Sequence, residues 1–187
     1  FPYRTQKLSS SAPIVLGHWS WESRTLPAFC FKTLGDKMNI YMKSAYSEAL
    51  VAYEKNEVPV GAVIVLNNEV IAKGHNTKIK DIEITAHAEI NALRNASKYL
   101  GRTNLHDCDI YITLEPCSMC LSAILQSNIK NIYFGAYDIT MGAIESTMKI
   151  TEFPLGKKVI TIGGIMEDEC SNLISSFFKK IRKKNIY

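Results

Sequence analysis

Two short strings of the sequence carry side chains that could bind and use a metal ion. The string TAHAE contains His87 and Glu89, and the string EPCSMC contains Cys117 and Cys120. One imidazole and two thiolates supply three ligands, and three protein ligands with a fourth position left for water are typical of catalytic zinc sites. Zinc lowers the pKa of such a water to about 7, so hydroxide is available at neutral pH. The two strings therefore predict a catalytic site with one Zn2+ per chain.

Glu89 lies two residues beyond His87 and is not required as a metal ligand. A carboxylate beside an activated water can accept its proton and then deliver protons to a ring nitrogen and to a leaving group. Considered alone, Glu89 would be an ordinary acidic residue in the first turn of a helix. Together with the ligand pattern, it is predicted to be the catalytic general acid and base.

The elements that carry these strings must bring them to one place. Apolar residues at helical spacing predict helices, and short runs rich in β-branched residues predict strands. The predicted helices cover residues 41–55, 86–98, 117–127 and 168–183, and the predicted strands cover residues 60–66, 70–73, 109–114, 131–135 and 158–162. Strands alternating with helices predict a layered α/β domain around one central sheet. Both strings open helices, where free N–H groups and the positive dipole end stabilise thiolates.

Two other interpretations of the cysteine pair are open. A Cys-x-x-Cys motif alone fits a redox pair or half of a structural zinc site. A redox pair does not account for the His-x-Glu at the other helix start. A closed structural site needs a fourth Cys or His, and His75 and His106 are the only nearby candidates, neither of them in a pair with suitable spacing. The combined pattern favours catalytic zinc.

Length and composition indicate one globular domain. The 187 residues are 47% hydrophobic and 21% charged, as in soluble globular proteins. Apolar runs are too short for a membrane-spanning helix, which needs roughly 18 residues, so no membrane association is expected. Five scattered cysteines do not form the even framework of a secreted disulfide protein. We therefore expect a cytoplasmic protein.

The two ends of the chain differ from its centre. Residues 1–37 begin with Phe and hold scattered Trp, Phe and Pro without a helical or strand period. They are expected to be an N-terminal extension outside the domain, disordered or not native through an over-extended reading frame, with a targeting segment as the alternative. Residues 38–187 are expected to form the zinc-dependent domain. The helical period of the C-terminal helix predicts that its core-facing residues are Cys170, Leu173, Ile174, Phe177 and Phe178. This helix ends in the basic residues Lys179, Lys180, Arg182, Lys183 and Lys184, which suits either an anionic partner or a solvated helix end.

The pattern His-x-Glu followed by Pro-Cys-x-x-Cys is characteristic of zinc nucleobase deaminases. Longer strings resemble those of bacterial tRNA-specific adenosine deaminases, in the cytidine/deoxycytidylate deaminase superfamily. These strings are EVPVGAVIV, GHN, TAHAEINALR, YITLEPCSMC, IYFGAYD and ITIGGIMEDECSNLISSFFKKIRKK. The resemblance implies a three-layer α/β/α cytidine-deaminase-like fold with a central mixed five-stranded sheet, and a homodimer. It also implies conversion of the wobble adenosine of an arginine tRNA anticodon to inosine.

The resemblance also implies roles for individual residues. It makes His87, Cys117 and Cys120 the zinc ligands and Glu89 the proton shuttle. By the same resemblance, the substrate is contacted by Asn76 at the flipped nucleoside, by the main chain of Ala88 at the base and by Asp138 at the ribose-phosphate backbone. From the residues alone, Asn76 could be a turn residue and Asp138 a helix cap. With a tRNA as partner, the basic C-terminal residues are expected to contact the RNA backbone.

Two departures from the family pattern concern the RNA side of the site. Thr140 stands where the family usually has Lys, and the segment between Ala143 and Lys157 is shorter and less typical. A guanine or other free-nucleobase or nucleoside deaminase of the same superfamily is the nearest alternative. Guanine deaminase shares Glu-Pro-Cys-x-Met-Cys with this sequence but differs in its C-terminal portion. A second alternative is a non-catalytic tRNA-binding subunit with structural zinc, which the presence of Glu89 disfavours.

Overall fold

The computed structural model describes residues 28–149, 154 and 159–184. Its helices are α1 (Ala28–Glu54), α2 (Ala88–Leu100), α3 (Ser118–Gln126) and α4 (Glu167–Lys184). Its strands are β1 (Gly61–Leu66), β2 (Glu69–His75), β3 (Asp109–Leu114), β4 (Asn131–Ala136) and β5 (Ile160–Ile162). Every helix and strand predicted from the sequence is present, with ends that differ by a few residues, except that α1 begins much earlier than residue 41.

The strands form one mixed sheet in the order β2-β1-β3-β4-β5, which confirms the predicted five-stranded sheet. β1 pairs antiparallel with both β2 and β3, whereas β4 lies parallel to β3 and β5. The strands β2, β3 and β4 therefore run in the same direction and have their C-terminal ends at the same end of the sheet. The loops that lead into α2 and α3, and the loop that follows β4, meet at this end, where a site can be assembled.

Helices cover both faces of the sheet. The hydrophobic cluster between the sheet and helices α2 and α3 contains Ile64 and Ala92. The cluster on the opposite face, beneath α1 and α4, contains Val63, Met42 and Cys170. Successive residues of β1 thus face different helix layers, and both faces of this strand are buried, which explains its uninterrupted apolar sequence. The predicted three-layer α/β/α arrangement is confirmed.

Close backbone approaches fix the edge of the sheet at which the loops meet. A Cβ atom on Gly74 of β2 would lie 2.4 Å from the carbonyl oxygen of Ala88 and 2.5 Å from the amide nitrogen of Ala92. Glycine at this position therefore lets the first turn of α2 lie directly against β2.

The hairpin between β1 and β2 turns at Asn67 and Asn68, which both have positive φ, as type I′ hairpin turns require.

The helix α1 passes through the predicted domain boundary at Met38. Its buried face shows the predicted helical spacing, with Met42, Ala45 and Ala49 inaccessible to solvent. Residues 1–27 lie outside the described part of the chain, and the boundary between residues 37 and 38 stays a prediction. Within the described residues, every helix is too short or too polar to cross a membrane.

The C-terminal helix differs from its prediction at one aromatic residue. Cys170 and Phe177 are buried against the sheet as predicted. The prediction that Phe178 also faces the core was wrong, since it is 44% exposed. Consecutive helical residues point about 100° apart, so the turn that buries Phe177 directs Phe178 away from the core. Of the atypical segment 143–157, the structure describes residues 143–149 and 154.

Candidate active site

The first helical turns of α2 and α3 present the predicted ligands in equivalent ways. His87 and Cys117 are the N-cap residues of α2 and α3, both with extended backbone (φ −77°, ψ 157° and φ −70°, ψ 169°). N-cap side chains usually bond an N–H group of the first turn, but neither side chain does so here. The imidazole of His87 and the thiol of Cys117 can therefore approach each other. The thiol of Cys120, in the first turn of α3, lies beside them.

The three ligand atoms are close enough to share one metal ion. The ligand atoms of His87, Cys117 and Cys120 all lie within 4.8 Å of one another. Nδ1 of His87 is 3.8 Å from Sγ of Cys117 and 3.5 Å from Sγ of Cys120. Tetrahedral zinc with bonds of about 2.3 Å to sulfur and about 2.0 Å to nitrogen would separate N from S by about 3.5 Å. The donor set and its spacing therefore fit zinc.

The two histidines considered as a fourth ligand make other contacts. Nδ1 of His75 lies 2.9 Å from a carboxylate oxygen of Glu48, and Nε2 lies 3.0 Å from Nζ of Lys55. His106 lies beside the guanidinium of Arg102. Among the described residues, the group that could hold the metal thus has three members. Three ligands leave a coordination position open, as in catalytic zinc sites.

The thiols and the imidazole influence one another's protonation. The hydrogen bond from Cys120, assisted by the bond to His87, lowers the pKa of the Cys117 thiol to about 4. The contact with Cys117, together with burial, raises the pKa of the Cys120 thiol. The bond to Cys117 also raises the pKa of His87. Without a cation, two neighbouring thiolates repel each other, so only one of the two thiols ionises readily. A divalent cation bound between them would stabilise both thiolates, so this pair is suited to a metal.

Glu89 is placed for proton transfer beside the ligands. It lies in the first turn of α2, is only 4% exposed, and lines the cavity described below. Burial raises the pKa of its carboxyl group. A raised pKa moves a carboxyl toward the range in which it can both accept and release a proton near neutral pH.

A cavity of about 720 Å³ opens over these residues. Its volume is in the range of small-molecule sites, and His87, Glu89 and Cys117 lie in its wall. The predicted substrate contacts line the same cavity, although they are far apart in the sequence: Asn76, Ala88 and Asp138. All seven residues predicted for metal, catalysis and substrate are thus brought to one end of the sheet.

A buried carboxylate holds the wall that follows β4. Glu115 is 2% exposed, and its Oε1 accepts hydrogen bonds from the backbone N–H groups of Ile144 (2.9 Å), Glu145 (2.7 Å) and Ser146 (3.1 Å). Its Oε2 accepts from the N–H of Asp138 at 3.1 Å and from the Ser146 hydroxyl. Burial alone would raise the pKa of Glu115, but these bonds hold it below its ordinary value. The atypical segment is therefore tied to the residue that precedes Pro116 and Cys117.

Asp138 has a structural role as well as a place in the cavity wall. Its Oδ1 accepts hydrogen bonds from the N–H groups of Thr140 at 2.9 Å and Met141 at 3.2 Å. This is the local capping interaction that the residue type alone allows. One carboxylate oxygen is engaged in this turn, and the residue lines the cavity together with Thr140.

The basic residues of α4 do not share one surface. Nζ of Lys180 lies 4.8 Å from the centre of the Tyr53 ring, so this side chain lies against α1. Arg182 stands one helical turn beyond Phe178, which lines the cavity. Residues four apart lie on one face of a helix, so Arg182 extends the face of α4 that borders the cavity.

The other basic residues of the tail lie away from the zinc ligands. Lys179 and Lys183 are exposed and, with Ser176 and Lys180, line a separate surface groove of about 520 Å³. The side chain of Lys184 lies outside the described part of the structure. The structure therefore divides a cluster that the sequence presents as one.

Some residues of the site carry no recognisable signal in the sequence. Lys78 is the only lysine or arginine among the described residues that line the cavity, and it follows the GHN string by two positions. Phe178 lines the mouth, although the helical period is equally compatible with a core position. Glu57 is buried beneath the loop that carries Asn76. Lys78 lies just after the GHN string and Glu57 is the first residue of the EVPVGAVIV string, but only tertiary contacts show what either residue does.

Comparison with known proteins agrees with this geometry. The family model for the cytidine and deoxycytidylate deaminase zinc-binding region matches residues 36–136, which include all three proposed ligands. A protein of Bacillus subtilis (strain 168) named tRNA-specific adenosine deaminase is 40% identical over 146 residues, which are 78% of this chain and 91% of that protein.

Solved structures show the same fold. One from a study of A-to-I editing by tRNA:A34 deaminases at the wobble position of transfer RNA superimposes with a TM-score of 0.68 at 40% identity. The match covers 71% of this chain and 97% of that chain. A guanine deaminase from Nitrosomonas europaea superimposes with a TM-score of 0.66 at 19% identity, covering 86% of this chain and 98% of that one. At that identity the second likeness concerns the fold alone.

Proposed function

Because the chain belongs to the tRNA-specific adenosine deaminases, within the zinc-dependent cytidine and deoxycytidylate deaminase family, we propose that it deaminates adenosine to inosine at the wobble position of a tRNA anticodon. One observation carries the choice of substrate. The 40% identity to the Bacillus subtilis tRNA-specific protein covers 78% of this chain and 91% of that protein. The guanine deaminases are 19% identical (Nitrosomonas europaea) or 33% identical over only 58% of this chain (Bacillus subtilis). We propose an arginine tRNA as the substrate, following the family resemblance of the sequence.

The residues that would hold one zinc ion per chain are His87 through Nδ1, and Cys117 and Cys120 through Sγ. Zinc bound there supplies a Lewis acid that lowers the pKa of a water molecule and makes a nucleophile available at neutral pH. The helix starts behind the ligands contribute N–H groups and the positive ends of two dipoles, which stabilise the negative charge of the thiolates.

Glu89 would move the protons of the reaction. Hydrolysis adds water at C6 of adenine, breaks the bond between C6 and the exocyclic nitrogen, and releases ammonia. In this scheme the Glu89 carboxylate accepts a proton from water and delivers it to the ring nitrogen N1. It then takes the second proton from the hydroxyl added at C6 and transfers it to the departing amine, which leaves as ammonia. Its burial beside the ligands supports this role, because a carboxyl with a raised pKa can be reprotonated in each cycle.

The cavity wall would orient the nucleoside. Asn76 would contact the flipped nucleoside, and the N–H of Ala88, in the first turn of α2 and thus without an intrahelical acceptor, would contact the base. Asp138 would face the ribose-phosphate backbone. Lys78 lines the cavity, and Arg182 lies one helical turn beyond Phe178 on the same face of α4. Thr140 replaces the family's usual lysine, and Lys78 and Arg182 could bind the flanking phosphates in its place.

We also propose a homodimer in the cytoplasm, where tRNA is available as substrate. Three isoleucines of one loop are largely exposed, Ile79, Ile82 and Ile84. Exposed apolar groups clustered in this way are typical of surfaces that a partner covers. Light scattering of the purified protein tests the stoichiometry, and a monomer at micromolar concentration would contradict a dimer.

The substrate is tested by incubating the purified protein with an arginine tRNA anticodon stem-loop and sequencing the product. A change read as A to G at the wobble base is the expected result. The same preparation is assayed for ammonia release from free guanine. Ammonia from guanine without wobble inosine would favour the free-nucleobase alternative, and neither product from zinc-loaded protein would favour a non-catalytic subunit.

A further inference from the structure

A buried carboxylate outside the proposed proton-transfer machinery lies beneath the substrate wall. Glu57 is 1% exposed and stands between α1 and β1. Burying a carboxylate is costly unless it receives hydrogen bonds. The donors of these hydrogen bonds therefore identify the part of the structure that Glu57 holds in place.

The partners of Glu57 all belong to the loop after β2. Oε1 accepts hydrogen bonds from the backbone N–H groups of Ile79 at 2.9 Å and Lys80 at 2.8 Å. Oε2 accepts a hydrogen bond from Nδ2 of Asn76 at 3.2 Å. The two carboxylate oxygens thus have separate tasks, one anchoring the loop backbone and the other holding the Asn76 side chain.

The contact with Oε2 decides which way round the Asn76 amide lies. A carboxylate oxygen can only accept hydrogen bonds, so the amide of Asn76 must turn its nitrogen toward Glu57. Its Oδ1 then lies on the other side of the amide. No donor among the described residues bonds this Oδ1, and Asn76 lines the cavity. An acceptor is therefore available to a bound substrate at this point.

We propose that Glu57 is a positioning residue that fixes the amide of Asn76 so that its Oδ1 accepts a hydrogen bond from the substrate. The inference rests on the proposed function for the identity of that substrate. An acceptor held in this orientation selects a donor, so the group recognised on the nucleotide is a hydroxyl or an N–H. Glu57 touches no reacting atom and acts through Asn76.

Glu57→Gln separates this role from the anchoring of the loop. The glutamine Oε1 can still accept from Ile79 and Lys80, so the backbone stays in place. Its Nε2 replaces the oxygen that faced Asn76, and two amide nitrogens cannot bond each other. Asn76 would therefore turn over and present its nitrogen to the substrate in place of its oxygen.

The test is a double-mutant cycle with Glu57→Gln, Asn76→Ala and the combined variant, assayed as kcat/KM on the anticodon stem-loop. Glu54→Gln is the matched control, since Glu54 is exposed on the last turn of α1. We expect Glu57→Gln to lower kcat/KM by roughly 10- to 100-fold, the effect of mispairing one desolvated polar group. In the Asn76→Ala background, Glu57→Gln should have no further effect, with zinc content unchanged throughout. Equal losses in both backgrounds, or no loss in the parent background, would overturn the proposal.

A second measurement does not depend on the variants folding or on the substrate. In the parent protein, the side-chain amide hydrogens of Asn76 are followed by NMR hydrogen exchange. Protection of an Nδ2 hydrogen is expected from its bond to Glu57, and rapid exchange of both hydrogens would overturn the proposal. If the stem-loop is not deaminated while this protection is observed, the proposed function fails and the positioning role of Glu57 stands.

Discussion

At the floor of the cavity, the three proposed metal ligands come from the starts of two helices. At its rim, the proposed substrate contacts Asn76 and Asp138 stand in loops. His87 and Cys117 occupy matching N-cap positions, and their geometry follows from the backbone of α2 and α3. Asn76 and Asp138 instead depend on contacts with residues elsewhere in the chain, namely the buried carboxylates of Glu57 and Glu115.

Because the floor is built from helix starts and the rim from loops, substitutions in the two regions should have different effects. The side chains of the floor are placed by regular structure and have the proposed chemical roles, so replacing any of them should remove a function outright. The rim is organised by hydrogen bonds between loops and buried acids, so replacing its members should alter binding and alignment more than the chemical step. Substitutions in the two regions therefore separate these contributions.

The largest effect is expected at the floor, from Cys117→Ala and Cys120→Ala. Two remaining ligands cannot hold a tetrahedral catalytic ion, so both variants should lose zinc and activity. Cys170→Ala is the matched control, because Cys170 is buried on the opposite face of the sheet and should leave the metal in place. Zinc per chain, measured by elemental analysis, checks this prediction, and full zinc with full turnover in either ligand variant would contradict the site.

Glu89→Gln should give the next largest effect. The ligands stay intact, so zinc content and melting temperature should be retained, while turnover falls by roughly 100- to 10,000-fold through loss of proton transfer. Single-turnover rates on the stem-loop measure the loss. Activity within a few-fold of the parent would exclude Glu89 as the proton shuttle.

At the rim, Glu115→Gln should act through the loop that follows β4. Glutamine keeps one acceptor but directs an N–H2 group at the N–H of Asp138, so one hydrogen bond is replaced by a donor–donor contact. An unsatisfied buried group costs about 1–3 kcal/mol, and we expect a lower melting temperature and a KM that rises more than kcat falls. Glu145→Gln, on the exposed side of the same loop, should leave both unchanged. A selective loss of kcat would place Glu115 with the floor instead.

The basic residues of α4 should have smaller and unequal effects. Arg182→Gln should weaken stem-loop binding and make its salt dependence shallower by about 0.7 in log–log slope, the value for one phosphate contact with single-stranded RNA. Lys180→Gln should change the slope less, since Lys180 lies over Tyr53. Titrations at several salt concentrations check this, and identical slopes for all three proteins would remove this helix end from the RNA-binding surface.

The smallest effect is expected from removing residues 1–37. The deletion leaves Met42 and the later buried residues of α1 in place, so activity and melting temperature should barely change. A chain starting at Met38 is compared with the full chain by thermal unfolding and turnover. A large loss of stability would show that the removed segment, whose residues 28–37 are helical here, packs on the domain.

The floor could be predicted from the sequence because its information is local. The ligand types, their spacing and the positions of the helix starts are all contained in two short strings, and the helical and strand periods around them are strong. Periodicity also indicated the order of elements and the layered architecture. It did not predict where α1 begins, because the helix starts at Ala28 and runs through residues without a clear apolar period.

The rim could not be predicted in the same way. The tail illustrates this, since its four described basic side chains diverge. Lys179, Lys180 and Lys183 line a separate groove, with Lys180 also against Tyr53 of α1, whereas Arg182 extends the face of α4 that carries Phe178. Phe178 likewise differs from Phe177 only by the rotation of one helical residue, yet one borders the cavity and the other is core.

The sequence by itself therefore predicted a His/Cys/Cys group that could hold a metal, and the α/β architecture of this protein, because residue type and short-range spacing carry that information. Tertiary structure alone decided that Glu57 faces Asn76 and that Glu115 gathers the loop after β4. Glu57 and Asn76 are 19 positions apart, and Glu115 and Asp138 are 23 positions apart. A buried carboxylate accepts hydrogen bonds from the N–H groups that the fold places next to it. No local pattern encodes that choice, since it arises only when three loops meet at one end of the sheet.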